Sequence, residues 1–547
     1  MNIAARLSAN AKTFPDKKAV VFPVFNKKTK VYDYQSLTFR ELEIRSNKFA
    51  TQLEKLGLKK GDKTLLFLRP SLDFSAMTFA LFKLGVVPVF IDPGMGRANL
   101  LKCIKEAKPV GLIAEKEVHI ARLLFRGTFK SIKFSVTNGS RSWGRMLKIS
   151  SMKMEKTQTF KSATFEADDT AAILFTSGGT GAPKGVVYSH SIFDQQTTIL
   201  RDLYNLSMHD VDLPGFPLFS LFTIAMGMTS CIPDMDPSKP GSCDPKKLYQ
   251  NIIDQKPTFV AGSPAIWERV ADYCIENNLT LPGVKYVVMF GAPVSVLIHR
   301  KFKALLPNGT TYTPYGATEA LPVSNISGDF ILKNTAQATE NGKGTCIGTP
   351  APGTTVKIIK ITDDVIEKLS DAKILSPNEI GEIIVSGPTV TKEYLDLPSI
   401  TREAKIYDGE TIWHRMGDMG FVDPDGLLWF LGRKGHRVET TEGLMTPISV
   451  EAIFNRHPSV RRSALIGLGK LGRQTPAIVI ERSDGQFLSG KERSIFESEL
   501  LSLAKKSPHT AMIQKIFLSK HFPVDVRHNI KIDRTKLKEE IESHDEN

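Results

Sequence analysis

An α/β fold is predicted for this chain. A large N-terminal domain of layered α/β subdomains plus a β subdomain is followed by a small, mobile α+β C-terminal domain. Three observations predict it. Strands and helices alternate through the first third, and the rhythm starts again at Asp169. After Gly344 the texture changes to short strands divided by turn residues. Beyond Gly432-Arg433-Lys434-Gly435, about 110 residues read as a separate unit.

The first clear element opens at Thr38-Phe39-Arg40-Glu41, a capping box. Helical periodicity follows, and Gly57 closes the run as a C′ glycine. A short strand is expected over 64–68, a buried helix over 74–84 and a strand over 86–91. From Asp169 the order is a strand at 171–175, a glycine-rich loop, and helical residues from His190. Short strands recur at 258–261, 286–290 and 310–313, then at 356–361, 382–385 and 427–431. The last unit reads as helix 450–457, strands 462–467 and 477–481, helix 491–505 and strand 513–518. Gly432 and Gly435 flank Arg433-Lys434 and permit wide backbone rotation, so a hinge is expected at 432–436, between domains 1–432 and 433–547.

Composition bounds the function. The 547 residues suggest two to four domains at about 150 residues each. Apolar residues make up 41% and charged residues 24%, which argues against disordered and fibrous classes. No apolar run reaches the ~18 residues of a membrane span; the best, 74–91, is broken by Lys83 and Pro88. The first 18 residues lack the pattern of a secretory signal. Five scattered cysteines without a CxxC pair, and eleven histidines without metal-ligand spacing, predict a reduced, cytoplasmic protein with no structural zinc.

Net charge is +14, and the excess is local. Residues 122–161 carry ten Lys/Arg against Glu155 alone. A solvated loop face accounts for this plainly. Attraction to anionic lipid headgroups is the sharper account, with Leu123-Leu124-Phe125 inside the stretch to dock on a membrane surface. Nucleic acid is disfavoured, because few aromatics are interleaved for stacking.

Five segments carry chemistry. Thr176-Ser177-Gly178-Gly179-Thr180-Gly181-Ala182-Pro183-Lys184-Gly185 follows a strand. Its glycines let amides approach a polyphosphate, Ser177 and Thr180 add hydroxyls, and Lys184 adds charge. It lacks the GK[ST] ending of a Walker A loop, and alone it could be a flexible turn. Tyr315-Gly316-Ala317-Thr318-Glu319 offers a ring for a purine, a hydroxyl for a phosphate and a carboxylate for Mg²⁺; alone it reads as a turn with a helix start. In Arg415-Met416-Gly417-Asp418 the carboxylate suits two ribose hydroxyls, although the segment also reads as an exposed turn. Arg433 could reach the same ribose. Lys531, within Arg527-His528-Asn529-Ile530-Lys531, would by itself pass for a surface residue.

In this order and spacing the segments resemble the adenylate-forming superfamily of acyl-CoA synthetases, peptide-synthetase adenylation domains and luciferases, over nearly the whole chain. The resemblance implies an N-terminal AMP-binding domain, a mobile C-terminal domain, and ATP with Mg²⁺. It assigns 176–184 as the phosphate loop, with Thr176, Ser177, Gly178, Gly179, Thr180, Gly181 and Lys184 on the nucleotide. Gly291, Ala292, Pro293, Tyr315 and Gly316 would frame the adenine, with Phe430 beside them. Thr318 would contact the α-phosphate, Glu319 would bind Mg²⁺, Asp418 and Arg433 would hold the ribose, and Lys531 would approach the reacting oxygens. The implied reaction is attack of a carboxylate on the α-phosphorus of ATP with loss of pyrophosphate, a task of positioning and charge neutralisation.

Several positions depart from the acyl-CoA synthetase pattern. Gly179 and Ser220 replace a usual Ser and His, Gly435 stands at the hinge, and Glu439 stands where thioester-forming members carry a second lysine. Segments 216–222, 232–237, 313–319, 414–418, 432–439 and 522–529 look like the olefin-pathway β-lactone synthetases. That branch implies a long-chain β-hydroxy fatty acid whose own hydroxyl displaces AMP, so that no thiol channel is needed. It also implies thiolase-, reductase- or hydrolase-like pathway proteins as partners. Phe216, Phe219 and Phe222 suit a lipid tail, or ordinary core packing. A fatty acid–CoA ligase, with CoA as a further substrate, or a fatty acyl-AMP ligase is the second expectation. A catalytically silent nucleotide-binding scaffold is the third.

Overall fold

The computed structural model describes residues 2–139, 146–152, 159–176, 182–486, 488–523 and 532–545. Two seven-stranded sheets, each largely parallel, form the first half. In one, strands Lys63–Phe67, Val87–Ile91, Gly111–Ala114 and Thr170–Thr176 lie side by side in parallel, and Lys184–Ser189 adds an antiparallel edge. In the other, Val211–Pro214, Phe259–Gly262, Tyr286–Met289 and Thr310–Tyr312 run parallel.

Helices fill the space between and outside the sheets. Leu72–Leu84 is buried on nearly every face, as expected of a helix between layers. Phe39–Leu56 has the expected capping box: Thr38 accepts from the Glu41 amide at 3.2 Å, and Glu41 accepts from the Thr38 amide at 2.8 Å. Gly57 ends it with φ +110°.

An eight-stranded antiparallel sheet follows, built on the long strand Thr411–Val422 and its neighbour Leu428–Arg433. The chain then enters a smaller α+β unit. Its three-stranded sheet comprises Val460–Leu468, Thr475–Arg482 and Lys515–Ser519, with helices Pro447–Phe454 and Gly490–Ala504. A large N-terminal part and a small C-terminal part, both mixed α/β, match the predicted class.

Three local expectations are corrected. The strand Lys184–Ser189 is absent from the sequence reading, which passes directly from the glycine-rich loop to the helix His190–Leu203. Tyr315–Ala317 does not start a helix; it pairs antiparallel with Ala320–Asn325 as a tight hairpin. Asp418 is not on an exposed turn but inside the strand Thr411–Val422, 3% exposed. In each case strand pairing decides the local structure, and the local residue pattern does not reveal it.

Candidate active site

Among the described residues, Lys184, Gly291–Pro293, Tyr315–Glu319, Asp418, Phe430 and Arg433 meet at one cavity of about 2540 Å³, which reaches from the parallel sheets to the inner face of the C-terminal unit. The antiparallel sheet builds its centre. Asp418 and Arg433 stand opposite each other on adjacent strands, and Arg433 Nη1 lies 3.0 Å from Asp418 Oδ1. The Tyr315 hydroxyl donates to Asp418 Oδ2 at 2.5 Å. Burial, with the Asp418 charge beside it, pushes the Tyr315 phenol well above its ordinary range, so it stays a donor. The same carboxylate raises the Arg433 guanidinium. The Tyr315 and Phe430 rings are 6.0 Å apart, and both line the cavity. Gly291, Ala292 and Pro293 follow the strand Tyr286–Met289 and line the same cavity.

Thr318 and Glu319 form the hairpin turn, because Ala317 pairs with Ala320. The turn needs glycine at 316, where a Cβ would sit 2.6 Å from the Ala320 carbonyl oxygen. The Tyr188 hydroxyl donates to the Thr318 carbonyl at 2.6 Å. The Tyr394 hydroxyl donates to Glu319 Oε1 at 2.7 Å, and Glu319 Oε2 has no hydrogen bond or ion pair among the described residues. A carboxylate that lines the cavity and is fixed through one oxygen fits the one-carboxylate manner in which Mg²⁺ is held beside phosphates.

Behind the turn lies a buried cation. Lys405, 1% exposed, donates to the Thr391 carbonyl oxygen, and Thr391 in turn gives its amide to the Glu319 carbonyl at 2.9 Å. Burial lowers the Lys405 pKa to about 7, opposed by the Glu319 charge. His414 pairs with Lys405 across the strands and is held well below its ordinary pKa by burial and by the lysine. Tyr188, Tyr394, Thr391 and Lys405 are absent from the sequence reading, and His414 enters it only as the first residue of the segment 414–418. Alternation along the strand Lys184–Ser189 could have marked Tyr188. Nothing in spacing marks the others.

Thr176 pairs with Lys184, so the glycine-rich segment is the connection between two antiparallel strands. Lys184 lines the cavity, its Nζ 5.1 Å from the centre of the Tyr394 ring. Ser177, Gly178, Gly179, Thr180 and Gly181 lie outside the described residues, as does Lys531. Phe216, Phe219 and Phe222 line a neighbouring region of the cavity. Phe219 stacks on Phe290 at 4.5 Å, and Phe222 also packs on Phe193 in the core, as ordinary core packing would have it. Ser220, 2% exposed, donates to the Pro217 carbonyl at 2.6 Å. Glu439 is held by Arg437 Nε at 2.6 Å.

Comparison with known proteins places this geometry. The chain is 41% identical to the olefin beta-lactone synthetase of Xanthomonas campestris pv. campestris over 543 residues, 98% of this chain and 96% of that protein. It is 40% identical to the olefin beta-lactone synthetase of Stenotrophomonas maltophilia, covering 98% and 97%. In fold it is similar to the amide bond synthetase McbA of Marinactinospora thermotolerans, with a TM-score of 0.80 at 19% identity over 98% and 99% of the two chains. It is also similar to the O-succinylbenzoate coenzyme A synthetase MenE of Bacillus subtilis in complex with ATP and a magnesium ion, at 0.75 and 20% over 97% and 99%. The AMP-binding enzyme family matches residues 7–395, which hold Thr176–Lys184 and the Tyr315–Glu319 hairpin. With that match and near-complete likeness to the two synthetases, the chain belongs to the AMP-binding enzyme family.

Proposed function

We propose that this enzyme uses ATP to adenylate a long-chain β-hydroxy fatty acid and then closes the acyl adenylate to a β-lactone. The observation that carries this reading is 40–41% identity, from end to end, to olefin beta-lactone synthetases. In the first step a carboxylate oxygen attacks the α-phosphorus and pyrophosphate leaves. In the second the β-hydroxyl oxygen attacks the acyl carbon, the bond from that carbon to the phosphate oxygen breaks, AMP departs with the electron pair, and the hydroxyl proton is released.

Each residue then has a task. Residues 176–184 hold the phosphates, and Asp418 with Arg433 takes the ribose hydroxyls. Tyr315 and Phe430 bound the adenine opposite Gly291-Ala292-Pro293. Thr318, its peptide fixed by Tyr188, presents its hydroxyl to the α-phosphate. Glu319 would hold one Mg²⁺, which supplies charge neutralisation at the phosphates. Lys531, carried by a cap spanning 433–547, brings a second cation to the growing charge. Phe216, Phe219 and Phe222 bound the acyl chain. The second half-reaction is intramolecular and needs no lysine at 439, and Glu439 is engaged by Arg437 instead.

Mass spectrometry of the product from a 3-hydroxy fatty acid, ATP and Mg²⁺, with and without CoA, tests the reading. A product lighter than the acid by one water, formed equally in both reactions, is expected. A CoA-dependent thioester would overturn it in favour of a fatty acid–CoA ligase. Lys531→Ala is expected to reduce ATP–pyrophosphate exchange at least a hundredfold, and unchanged exchange would remove Lys531 from its role.

A further inference from the structure

The helix Lys116–Leu124 is amphipathic in an unusual sense. Its inner residues Val118 and Ala121, with Phe125 just beyond its end, line the large cavity. Its outer residues Ile120, Leu123 and Leu124 are also apolar, at 41%, 54% and 76% exposure. They follow i, i+3, i+4 spacing and form one stripe. Cations flank the stripe in sequence: from Lys116 to Lys133 there are five Lys/Arg against Glu117 alone. Lys116, Arg126, Lys130 and Lys133 are exposed and have no ion-pair partner among the described residues.

We propose that this helix docks the enzyme on the surface of a bilayer containing anionic lipid, beside the cavity that takes the acyl chain. The proposal rests on the long-chain reading above and adds the place of contact. Exposed apolar side chains flanked by exposed lysine and arginine are suited to shallow insertion between negatively charged headgroups. A protein partner fits less well. A nine-residue helix is only about 13 Å long, and its three side chains fall far short of the ~800 Å² that each partner of a stable protein interface buries. The same helix faces the bilayer on one side and the cavity on the other, so an acid leaving the membrane would cross the least water.

Vesicle flotation of the full chain tests this, with phosphatidylcholine alone and with one quarter phosphatidylglycerol. Binding to the anionic vesicles at least tenfold stronger than to the neutral ones, and weakened by salt, is expected. Leu123→Glu with Leu124→Glu should reduce that binding at least tenfold. Pyrophosphate release from a water-soluble, short-chain 3-hydroxy acid should be unchanged in this variant, while release from a long-chain acid held in vesicles should fall. Arg126→Glu with Lys130→Glu, which leaves the apolar stripe intact, should weaken flotation similarly. Failure of the wild type to float, or flotation of either variant equal to that of the wild type, would overturn the proposal. So would a stripe variant that changes self-association in sedimentation velocity while floating normally, because the stripe would then cover a second copy. Flotation uses neither ATP nor acid, so the result stands apart from whether the product is a lactone.

Discussion

Glu319 carries one formal charge into a site where its neighbours fix its place. The Tyr394 hydroxyl needs only an acceptor at Oε1, which a glutamine supplies. Glu319→Gln should therefore keep the fold to within about 1 kcal/mol while removing the charge offered to a metal. A tenfold or greater rise in the Mg²⁺ concentration for half-maximal pyrophosphate release is expected, and an unchanged Mg²⁺ titration would remove Glu319 from metal binding. Asp418→Asn keeps an acceptor for Tyr315 but not the charge facing Arg433; ATP affinity should fall about tenfold, or ~1.4 kcal/mol, by isothermal titration. His299, 2% exposed, hydrogen-bonds Thr311 Oγ1 at 2.6 Å, and burial lowers its pKa to about 4. The unfolded chain, near 6.5, then binds more protons between pH 6.5 and 4. Stability is complete above that window and falls as pH drops through it, by up to ~1.4 kcal/mol per pH unit for this one group. His299→Gln should flatten the acid side of a melting-temperature profile, and an unaltered slope would rule the residue out as its source.

At the scale of elements, signals local in sequence are the ones that could be read beforehand. Thr38, Glu41 and Gly57 lie within one helix, and their cap geometry needs no other part of the chain. Thr38→Ala should cost about 1 kcal/mol, read as roughly fivefold faster amide exchange in the first turn with activity retained. The strand Lys184–Ser189 and the hairpin at Thr318-Glu319 are different. Each is fixed by pairing, and a five-residue turn can open a helix or a hairpin with equal ease until its partner strand is known. The site follows the same division. Tyr315, Glu319, Asp418 and Arg433 sit in segments whose residue types already suggest nucleotide chemistry. Tyr394 and Lys405 act from behind those residues, and their roles depend on sheet pairing and burial that no spacing encodes.

For the molecule as a whole, the hinge proposed at 432–436, between the large lobe and the small C-terminal cap, would set what can move. Gly435 is exposed, but both of its basic neighbours are tied down. Lys434 Nζ donates to the Thr362 carbonyl at 2.9 Å and lies 3.2 Å from Glu382, whose carboxylate is already paired with the buried Arg415. Arg437 joins Asp363 of the large lobe at 2.5 Å and Glu439 of the cap at 2.6 Å. The backbone can turn at the glycine, yet rotation must break the Arg437–Asp363 link, while Lys434 ties the residue before the glycine to the large lobe. Asp363 is 59% exposed, so its pair with Arg437 is worth no more than about 1 kcal/mol, whereas Glu382 is buried and anchors the lysine more firmly. Asp363→Ala should therefore speed tryptic cleavage at 434–437 by up to about fivefold, the factor that ~1 kcal/mol supplies. Asp363→Ala with Lys434→Gln, which removes the tryptic site at 434 and is therefore scored after Arg437 in all three proteins, should speed that cleavage further, with cleavage elsewhere unchanged. Pyrophosphate release should fall in the double variant if Lys531 acts from the cap, because a freer cap holds that lysine over the phosphates for less of the time. Faster cleavage with unaltered pyrophosphate release would mean that cap position does not limit adenylation, and equal cleavage in all three proteins would mean that these ion pairs do not restrain the hinge.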